Sequence, residues 1–196
     1  MSKTLLITGF EPFGGETVNP SWEAVNRLPK MIGQWNLSKI QIPVEYGKAA
    51  QVITEAAQQI QPNVILCIGQ AGGRSAITPE AVAINLRDTV SPDNAGLVQQ
   101  NLPVIPGGPD AYFATVPVRN MINAIKSANI PASLSLSAGA YVCNDTLYSL
   151  LHEFHRTKTL VGFIHVPYLP EQAKEGVPSL TLEQITAGLS AAIEAL

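Results

Sequence analysis

Short apolar runs alternate with segments of helical periodicity along this chain of 196 residues. The runs are typical of strands that are covered on both faces of a sheet, and they span residues 3–8, 39–44, 63–69, 132–136 and 160–166. Between them, apolar residues recur at helical spacing over residues 49–60, 118–125, 147–154 and 181–196. Because strand and helix signals alternate, the sequence predicts an α/β fold, an α/β/α sandwich around a mostly parallel, mixed sheet.

Residues 70–112 depart from this alternation. They are rich in Gly, Pro, Asp and Asn, and a strand-like run lies within them at residues 81–86. We interpret the segment as an elaborated loop or hairpin insertion and not as a linker. A length of 196 residues fits one domain, so residues 1–196 are expected to form a single domain.

The composition limits the classes of partner. Charged residues make up 14% of the chain, against roughly 25% in an average soluble protein, which suggests a buried interface between subunits. The net charge is −3 and no run of Lys or Arg occurs, so nucleic acid and anionic membranes are not expected as partners. No apolar run approaches the roughly 18 residues of a membrane span, and residues 4–8 are too short for a signal core. A cytoplasmic location is therefore predicted, where Cys67 and Cys143 would be reduced.

Cys143 is a candidate nucleophile. It follows a Gly-containing turn in Ser137-Ala-Gly-Ala-Tyr-Val-Cys-Asn144, and a predicted helix comes after it. The positive end of a helix dipole favours thiolate over thiol, and the thiolate is the reactive species. The alternative is a core cysteine, because Cys143 lies on the same helical face as several apolar residues, namely Leu147, Leu150, Leu151 and Phe154.

His165 and Glu80 are candidate partners of that thiol. His165 ends the predicted strand at 160–166, and the carboxyl ends of parallel strands line the ligand crevice of such folds. An imidazole there can take the proton of a thiol and deliver it to a leaving amine. Glu80 follows the predicted strand at 63–69 and can hold the imidazole tautomer. Each residue also has a plain structural interpretation, a histidine satisfied by a backbone carbonyl and a solvated loop carboxylate.

Four stretches of the sequence resemble one family, the pyroglutamyl peptidase I or pyrrolidone-carboxylate peptidases. They are Gly9-Phe-Glu-Pro-Phe-Gly-Gly15 with Asn19-Pro-Ser21, Ile77-Thr-Pro-Glu-Ala-Val-Ala-Ile-Asn85 with Pro92-Asp-Asn-Ala-Gly96, Ser137 to Asn144, and Gly162-Phe-Ile-His-Val-Pro-Tyr-Leu-Pro-Glu-Gln172. The matches follow the expected order over nearly the whole chain, and the length agrees.

The resemblance implies a cysteine peptidase that removes an N-terminal pyroglutamyl residue from peptides. It assigns a catalytic triad to Cys143, His165 and Glu80. It also implies an α/β/α sandwich, a cytosolic homo-oligomer (a tetramer, with a dimer as the alternative), and no cofactor. One position departs from the family pattern: Ala81 stands where an arginine usually follows the glutamate. This leaves open what supports Glu80 or a neighbouring loop.

A pyroglutamyl ring needs apolar walls and a few fixed polar groups for its lactam edge. Phe10 and Phe13 lie in a loop directly after the first predicted strand, although a lone Phe is more often part of a core. The resemblance places these two rings around the substrate and Val142 beside the nucleophile. It also implies Asn19 and Gln70 as partners of the lactam.

Three other patterns are rejected as sites. The segment 69–73 is rich in Gly but lacks the Gly-Lys-Ser/Thr end of a P-loop. His152 and His155 are three residues apart, whereas a zinc-binding helix of the zincin type spaces them by four. Cys67 lies inside an apolar run and is predicted to be core.

Two rival functions stay open on the sequence alone. One is a binding module for a small ligand that has lost turnover, which Ala81 alone favours. The other is a cysteine amidase for another small lactam or amide. Release of a chromogenic amine from pyroglutamyl, glutamyl and prolyl conjugates separates the three hypotheses.

Overall fold

The computed structural model describes residues 3–196, and within them the chain forms eight strands and five helices. The strands are β1 (Lys3–Phe10), β2 (Met31–Ile32), β3 (Trp35–Ile42), β4 (Val64–Gln70), β5 (Thr78–Pro79), β6 (Val82–Ile84), β7 (Ala111–Phe113) and β8 (Leu160–Val166). The helices are α1 (Pro20–Arg27), α2 (Lys48–Ile60), α3 (Val118–Ser127), α4 (Val142–Phe154) and α5 (Leu182–Glu194).

Six of the strands form one mixed sheet in the order β2-β3-β1-β4-β8-β5. The four central strands β3, β1, β4 and β8 are parallel, and the short edge strands β2 and β5 run antiparallel to their neighbours. Strands β6 and β7 form a separate antiparallel pair inside the segment 70–112. The mostly parallel, mixed sheet is therefore confirmed.

Helices cover both faces of the sheet, because the side chains of the central strands alternate between two apolar cores. In β4, Val64, Leu66 and Ile68 belong to the core formed with α1, α3 and α5. Ile65 and Cys67 point the other way, into the core formed with α2 and α4. The predicted α/β/α sandwich is confirmed, and Cys67 is a core residue as expected.

The helices are short, and the ends of two of them carry side-chain caps. Asn19 caps α1, with Pro in its first turn, and Thr181 with Gln184 forms a capping box at α5. The helices α2, α4 and α5 are each 13 residues long. In the part of the chain that the structure describes, no helix has both the length and the apolar character to cross a membrane.

Three elements differ from the sequence-based expectation. Helix α1 was not predicted, and β3 begins at Trp35 instead of residue 39. Residues 132–136 are not a strand of the sheet; they join residues 77–80 only through isolated bridges at Ala132 and Ser135. Ser133 and Ser135 of this segment line an open cleft, and no further strand of residues 3–196 pairs with the segment on that side.

The carboxyl ends of the three central strands β1, β4 and β8 lie side by side, at Phe10, Gln70 and Val166. Gly69, the residue before Gln70, pairs in the sheet with His165, the residue before Val166. Strand alternation turns His165 to the side of the sheet that α4 covers, because its neighbours Ile164 and Val166 pack on the opposite side. This end of the sheet therefore presents the predicted site residues to the start of α4.

Candidate active site

Cys143 is the second residue of α4, so its thiol lies at a helix N-terminus as predicted. It contacts the end of β4 closely: a Cβ placed on Gly69 would lie 3.1 Å from Sγ of Cys143. Because Gly69 pairs with His165 in the sheet, the thiol lies above the strand pair that carries the imidazole. In residues 3–196, no hydrogen bond joins the thiol to His165, whose Nδ1 is engaged by Glu80.

The first turn of α4 is fastened to the inserted hairpin by two buried polar side chains. Asn144 accepts a hydrogen bond from the N–H of Ile84 and donates to the carbonyls of Ile84 and Leu86, each at 2.9 Å. Asp145 forms an ion pair with Arg87 at 2.6 Å. The insertion therefore fixes the position of the nucleophile, although it contributes no central strand.

His165 and Glu80 form a buried pair. Nδ1 of His165 donates to Oε1 of Glu80 at 2.7 Å, and both side chains are at least 96% buried. The short strand β5 brings the glutamate there: Thr78 pairs with His165, and the N–H of Glu80 donates to the carbonyl of Phe163. Because Nδ1 carries the proton, Nε2 is the free acceptor of the neutral imidazole.

Ala81 stands where an arginine usually follows the glutamate, so the cationic partner of Glu80 has to come from elsewhere. That partner is Arg74. Its Nη1 lies 2.7 Å from Oε1 of Glu80, and its Nη2 donates to the carbonyl of Ser137 at 3.1 Å. Sequence reasoning missed this residue, because the only signal was one arginine in a Gly-rich loop. Ala81 itself lines a different cleft, beside Phe113.

The electrostatics of the site favour a neutral thiol and a neutral imidazole at rest. Burial raises the pKa of the Cys143 thiol to about 12, and the negative charge of Glu80 adds to this, although the residue keeps some solvent exposure. Burial also lowers the pKa of His165 in spite of Glu80. The helix dipole favours the thiolate, as predicted from the sequence, whereas burial acts in the opposite direction and favours the neutral thiol.

Glu80 is the charged member of the group. Burial alone would raise the pKa of its carboxyl, but the hydrogen bond and charge of His165, with smaller contributions from Ser135 and Arg74, hold this pKa below its usual range. The site therefore holds a carboxylate that orients an uncharged imidazole.

A cavity of about 40 Å³ adjoins the thiol. Its lining includes four of the residues predicted from the sequence, Phe10, Phe13, Asn19 and Gln70, together with Cys143. The lining also contains two residues that sequence reasoning missed. These are Val44 and Tyr141, and the Tyr141 ring lies 6.4 Å from that of Phe13 between centroids.

Val142 is not part of this lining. Its side chain is fully buried in the core between the sheet, α2 and α4. It therefore anchors the start of the helix from beneath, while the neighbouring Tyr141 faces the cavity.

The two amide side chains predicted to bind a lactam are partly engaged within the protein. Oδ1 of Asn19 accepts from the N–H and the hydroxyl of Ser21, and its Nδ2 donates to the carbonyl of Glu11 at 2.9 Å. Oε1 of Gln70 accepts from Gln172 at 3.2 Å. One hydrogen on Nδ2 of Asn19 and the amide of Gln70 are left for a ligand.

Several clefts are larger than this cavity, among them one of about 500 Å³ beside Arg74 and Ser137 and one of about 420 Å³ beside Ala81 and Phe113. We assign the site to the small cavity because the thiol lines it. Within residues 3–196, no group of three or more His, Cys, Asp or Glu side chains is arranged to hold a metal ion.

A thiol beside an oriented imidazole, at the carboxyl ends of a parallel sheet, defines a hydrolytic enzyme that acts on acyl groups. The chain belongs to the pyroglutamyl peptidase family, whose model matches residues 3–196. The family and the peptidase class predicted from the sequence are both confirmed.

Similar proteins agree in sequence and in structure. The pyrrolidone-carboxylate peptidase of Levilactobacillus brevis is 48% identical over 98% of this chain and 96% of its own length. That of Escherichia fergusonii is 47% identical over 97% of this chain and 91% of its own length. The crystal structure of pyroglutamyl peptidase I from Bacillus amyloliquefaciens superposes with a TM-score of 0.96 at 45% identity, over 99% of this chain and 96% of that one.

Proposed function

We propose that this protein hydrolyses the bond after an N-terminal pyroglutamyl residue of a peptide or protein, with Cys143 as nucleophile. The observation that carries this proposal is the cavity in which the thiol of Cys143 meets Phe10 and Phe13, next to the buried His165–Glu80 pair. Membership of the pyroglutamyl peptidase family supports the same reaction.

The first half-reaction begins with a neutral thiol. Nε2 of His165 accepts the proton of Cys143 as Sγ attacks the carbonyl carbon of the pyroglutamyl residue. The N–H groups in the first turn of α4 have no partner within the helix, and in this proposal that of Cys143 stabilises the oxyanion. The carbon–nitrogen bond then breaks, and His165 gives its proton to the departing amine.

The second half-reaction releases the acid. A water molecule, deprotonated by Nε2 of His165, attacks the thioester carbon, the carbon–sulfur bond breaks, and Cys143 regains a proton. Glu80 keeps the imidazole in the tautomer that both steps need and stabilises the imidazolium between them.

The cavity recognises the lactam in this proposal through shape and two amides. The rings of Phe10, Phe13 and Tyr141 form apolar walls. The remaining hydrogen on Nδ2 of Asn19 suits the ring carbonyl, and Oε1 of Gln70 has a second lone pair for the lactam N–H. Val142 contributes by holding the helix start in place.

Turnover of matched conjugates tests this function. Wild-type protein should release a chromogenic amine from a pyroglutamyl conjugate and leave glutamyl and prolyl conjugates almost untouched. Binding of free pyroglutamate without turnover would favour the binding module, and turnover of a different small amide would favour the amidase. Cys143→Ala is the matched control for release that does not depend on the thiol.

We further propose that the protein works as one peptidase domain over residues 1–196, as a homo-oligomer in the cytoplasm. The large apolar side chains of Phe113 and Leu136 are 76% and 69% exposed and line one cleft, which supports a partner subunit. Both cysteines are free, which suits a reducing compartment. Light scattering should give a multiple of the 20.9 kDa chain mass, with four copies preferred over two, and a monomer would contradict the assembly.

A further inference from the structure

Arg74 joins two arms of the site that come from distant parts of the chain. It lies in the loop between β4 and β5, and its guanidinium contacts Oε1 of Glu80, the hydroxyl of Thr78 and the carbonyl of Ser137. Glu80 orients the imidazole, whereas Ser137 begins the turn that leads to the nucleophile. One planar side chain therefore fixes the distance between these two arms.

We propose that Arg74 is a positioning residue of the reaction, which holds Glu80 against His165 and ties this pair to the turn that precedes Cys143. The proposal rests on the proposed function, since it concerns how the same site is held. Arg74 lines the large open cleft and not the small cavity, so its effect is expected on the chemical steps and not on substrate binding.

The hydrogen bonds of Glu80 show why the arginine matters. Oε1 receives both Nδ1 of His165 and Nη1 of Arg74, each at 2.7 Å. In residues 3–196, Oε2 has no hydrogen-bond partner within bonding distance. Without Arg74, the histidine alone would hold a fully buried carboxylate, and the carboxyl group would be free to rotate about Oε1.

Charge acts in the same direction as geometry. The titratable groups that face one another here are Arg74, Glu80, His165, Cys143 and, behind the thiol, Cys67. The hydrogen bond from Arg74 lowers the pKa of Glu80, and the charge of Arg74 lowers the pKa of His165 and of Cys143. Removing Arg74 makes the carboxylate easier to protonate and the imidazolium easier to form. Because of both changes, the loss of activity in acid should begin at a higher pH than in the wild type.

Ala81 cannot supply this support. Its side chain lines the cleft that also contains Phe113 and Arg119, away from Oε1 of Glu80. In the part of the chain that the structure describes, the ion pairs of Glu80 are those with Arg74 and His165.

The test compares Arg74→Gln and Arg74→Lys by pH profiles with a chromogenic pyroglutamyl amide. Arg74→Gln should lower kcat by about 10- to 100-fold, the usual effect of losing a hydrogen bond to a charged group, and leave KM near wild type. The acid limb of kcat/KM should move to higher pH. Arg74→Lys should keep the acid limb and recover part of kcat, because one ammonium keeps the charge but cannot hold both Glu80 and Ser137.

Arg27 supplies a matched control, since it forms an exposed ion pair with Glu183 at 2.9 Å far from the site. Arg27→Gln should leave kcat and the pH profile unchanged. Wild-type kcat and an unmoved acid limb in Arg74→Gln would overturn the proposal. So would a fall in kcat with an unmoved acid limb and no recovery in Arg74→Lys, because that pattern marks a purely structural arginine.

A second measurement separates this proposal from the function itself. The histidine ring signals can be titrated by NMR, with His165→Gln identifying the signal of His165 among the three histidines. Its pKa should rise in Arg74→Gln whether or not the peptide substrate is correct, and an unchanged pKa would overturn the proposal. If Arg74→Gln does not fold, Arg74→Met removes the same charge at similar length and takes its place: a raised His165 pKa with an acid limb at higher pH supports the proposal, and an unmoved pKa overturns it. Wild-type protein that releases no amine would overturn the function alone.

Discussion

Gly69 lies against the sulfur of Cys143, and this sulfur and the ring of Phe163 together take the room that a side chain at position 69 would fill. A Cβ on Gly69 would lie 3.1 Å from Sγ of Cys143 and 2.7 Å from the ring of Phe163. Gly69→Ala should therefore displace the thiol from its position above His165 and reduce kcat strongly, with a lower Tm from the clash. Steady-state kinetics and thermal unfolding check this, and wild-type kcat would mean that the thiol moves freely.

The nucleophile can be assigned by comparing the two cysteines. Cys143→Ala should abolish turnover and leave the fold intact, and Cys143→Ser should be nearly as inactive, because a hydroxyl is a far weaker nucleophile here. Cys67→Ser should keep most activity, since Cys67 is a core residue of β4. Amine release and circular dichroism are measured for all three. A folded but inactive Cys67→Ser with an active Cys143→Ala would reverse the assignment.

The resting protonation state predicts a particular pH dependence. Because burial raises the pKa of the Cys143 thiol to about 12, the thiol stays protonated at pH 7. Because burial lowers the pKa of His165, the imidazole is neutral at pH 7 and becomes charged only in more acidic solution. Alkylation of Cys143 by iodoacetamide should be slow at pH 7 and accelerate as pH rises, while kcat/KM should fall only below about pH 6.5. Fast alkylation at neutral pH that is independent of pH would show a resting thiolate.

Much of the fold follows from local sequence signals. The buried strands β1, β4 and β8 are short, largely apolar runs, and the Thr181–Gln184 capping box marks the start of α5. Helix α1 escapes the sequence analysis because it has only eight residues, and because its cap, Asn19, is interpreted there only as a ligand partner. An Asn followed directly by Pro and Ser is itself a helix-start signal.

The site was less predictable where its geometry depends on contacts between distant residues. Cys143, His165 and Glu80 could be named because motifs carry them, but Arg74 acts through a carboxylate six residues away, and nothing local shows where its side chain points. Val142 and Tyr141 are neighbours, and only the helix phase decides that the tyrosine, not the valine, faces the cavity. The neutral thiol likewise depends on burial, which no motif encodes.

The two supporting residues of the nucleophile should differ in importance. His165→Ala should reduce kcat far more than Glu80→Gln, because the imidazole moves protons in both half-reactions and the carboxylate only orients it. Single-turnover rates of both variants on the pyroglutamyl amide check this. Near-wild-type rates in both would remove the pair from the mechanism.

Specificity should depend on the aromatic cavity and its amides. Proline has a ring without the carbonyl, so it leaves the donor of Asn19 unpaired, which costs roughly 1–3 kcal/mol. Glutamate would bring an unpaired carboxylate to apolar walls, and no Lys or Arg lies in residues 10–19 to neutralise it. Phe13→Ala should lower kcat/KM for the pyroglutamyl conjugate without raising it for prolyl or glutamyl ones. Comparable values for all three conjugates with wild-type protein would contradict the assigned pocket.

The position of β8 between β4 and β5 has a consequence for how the protein folds. Glu80 and His165 are 85 residues apart along the chain, so their hydrogen bond forms only after a large loop has closed and β8 has entered the sheet. Helices such as α2 and α5 need only local contacts and form faster. During refolding, helical circular dichroism should therefore return before turnover does, and recovered activity becomes a reporter of the last strand to join.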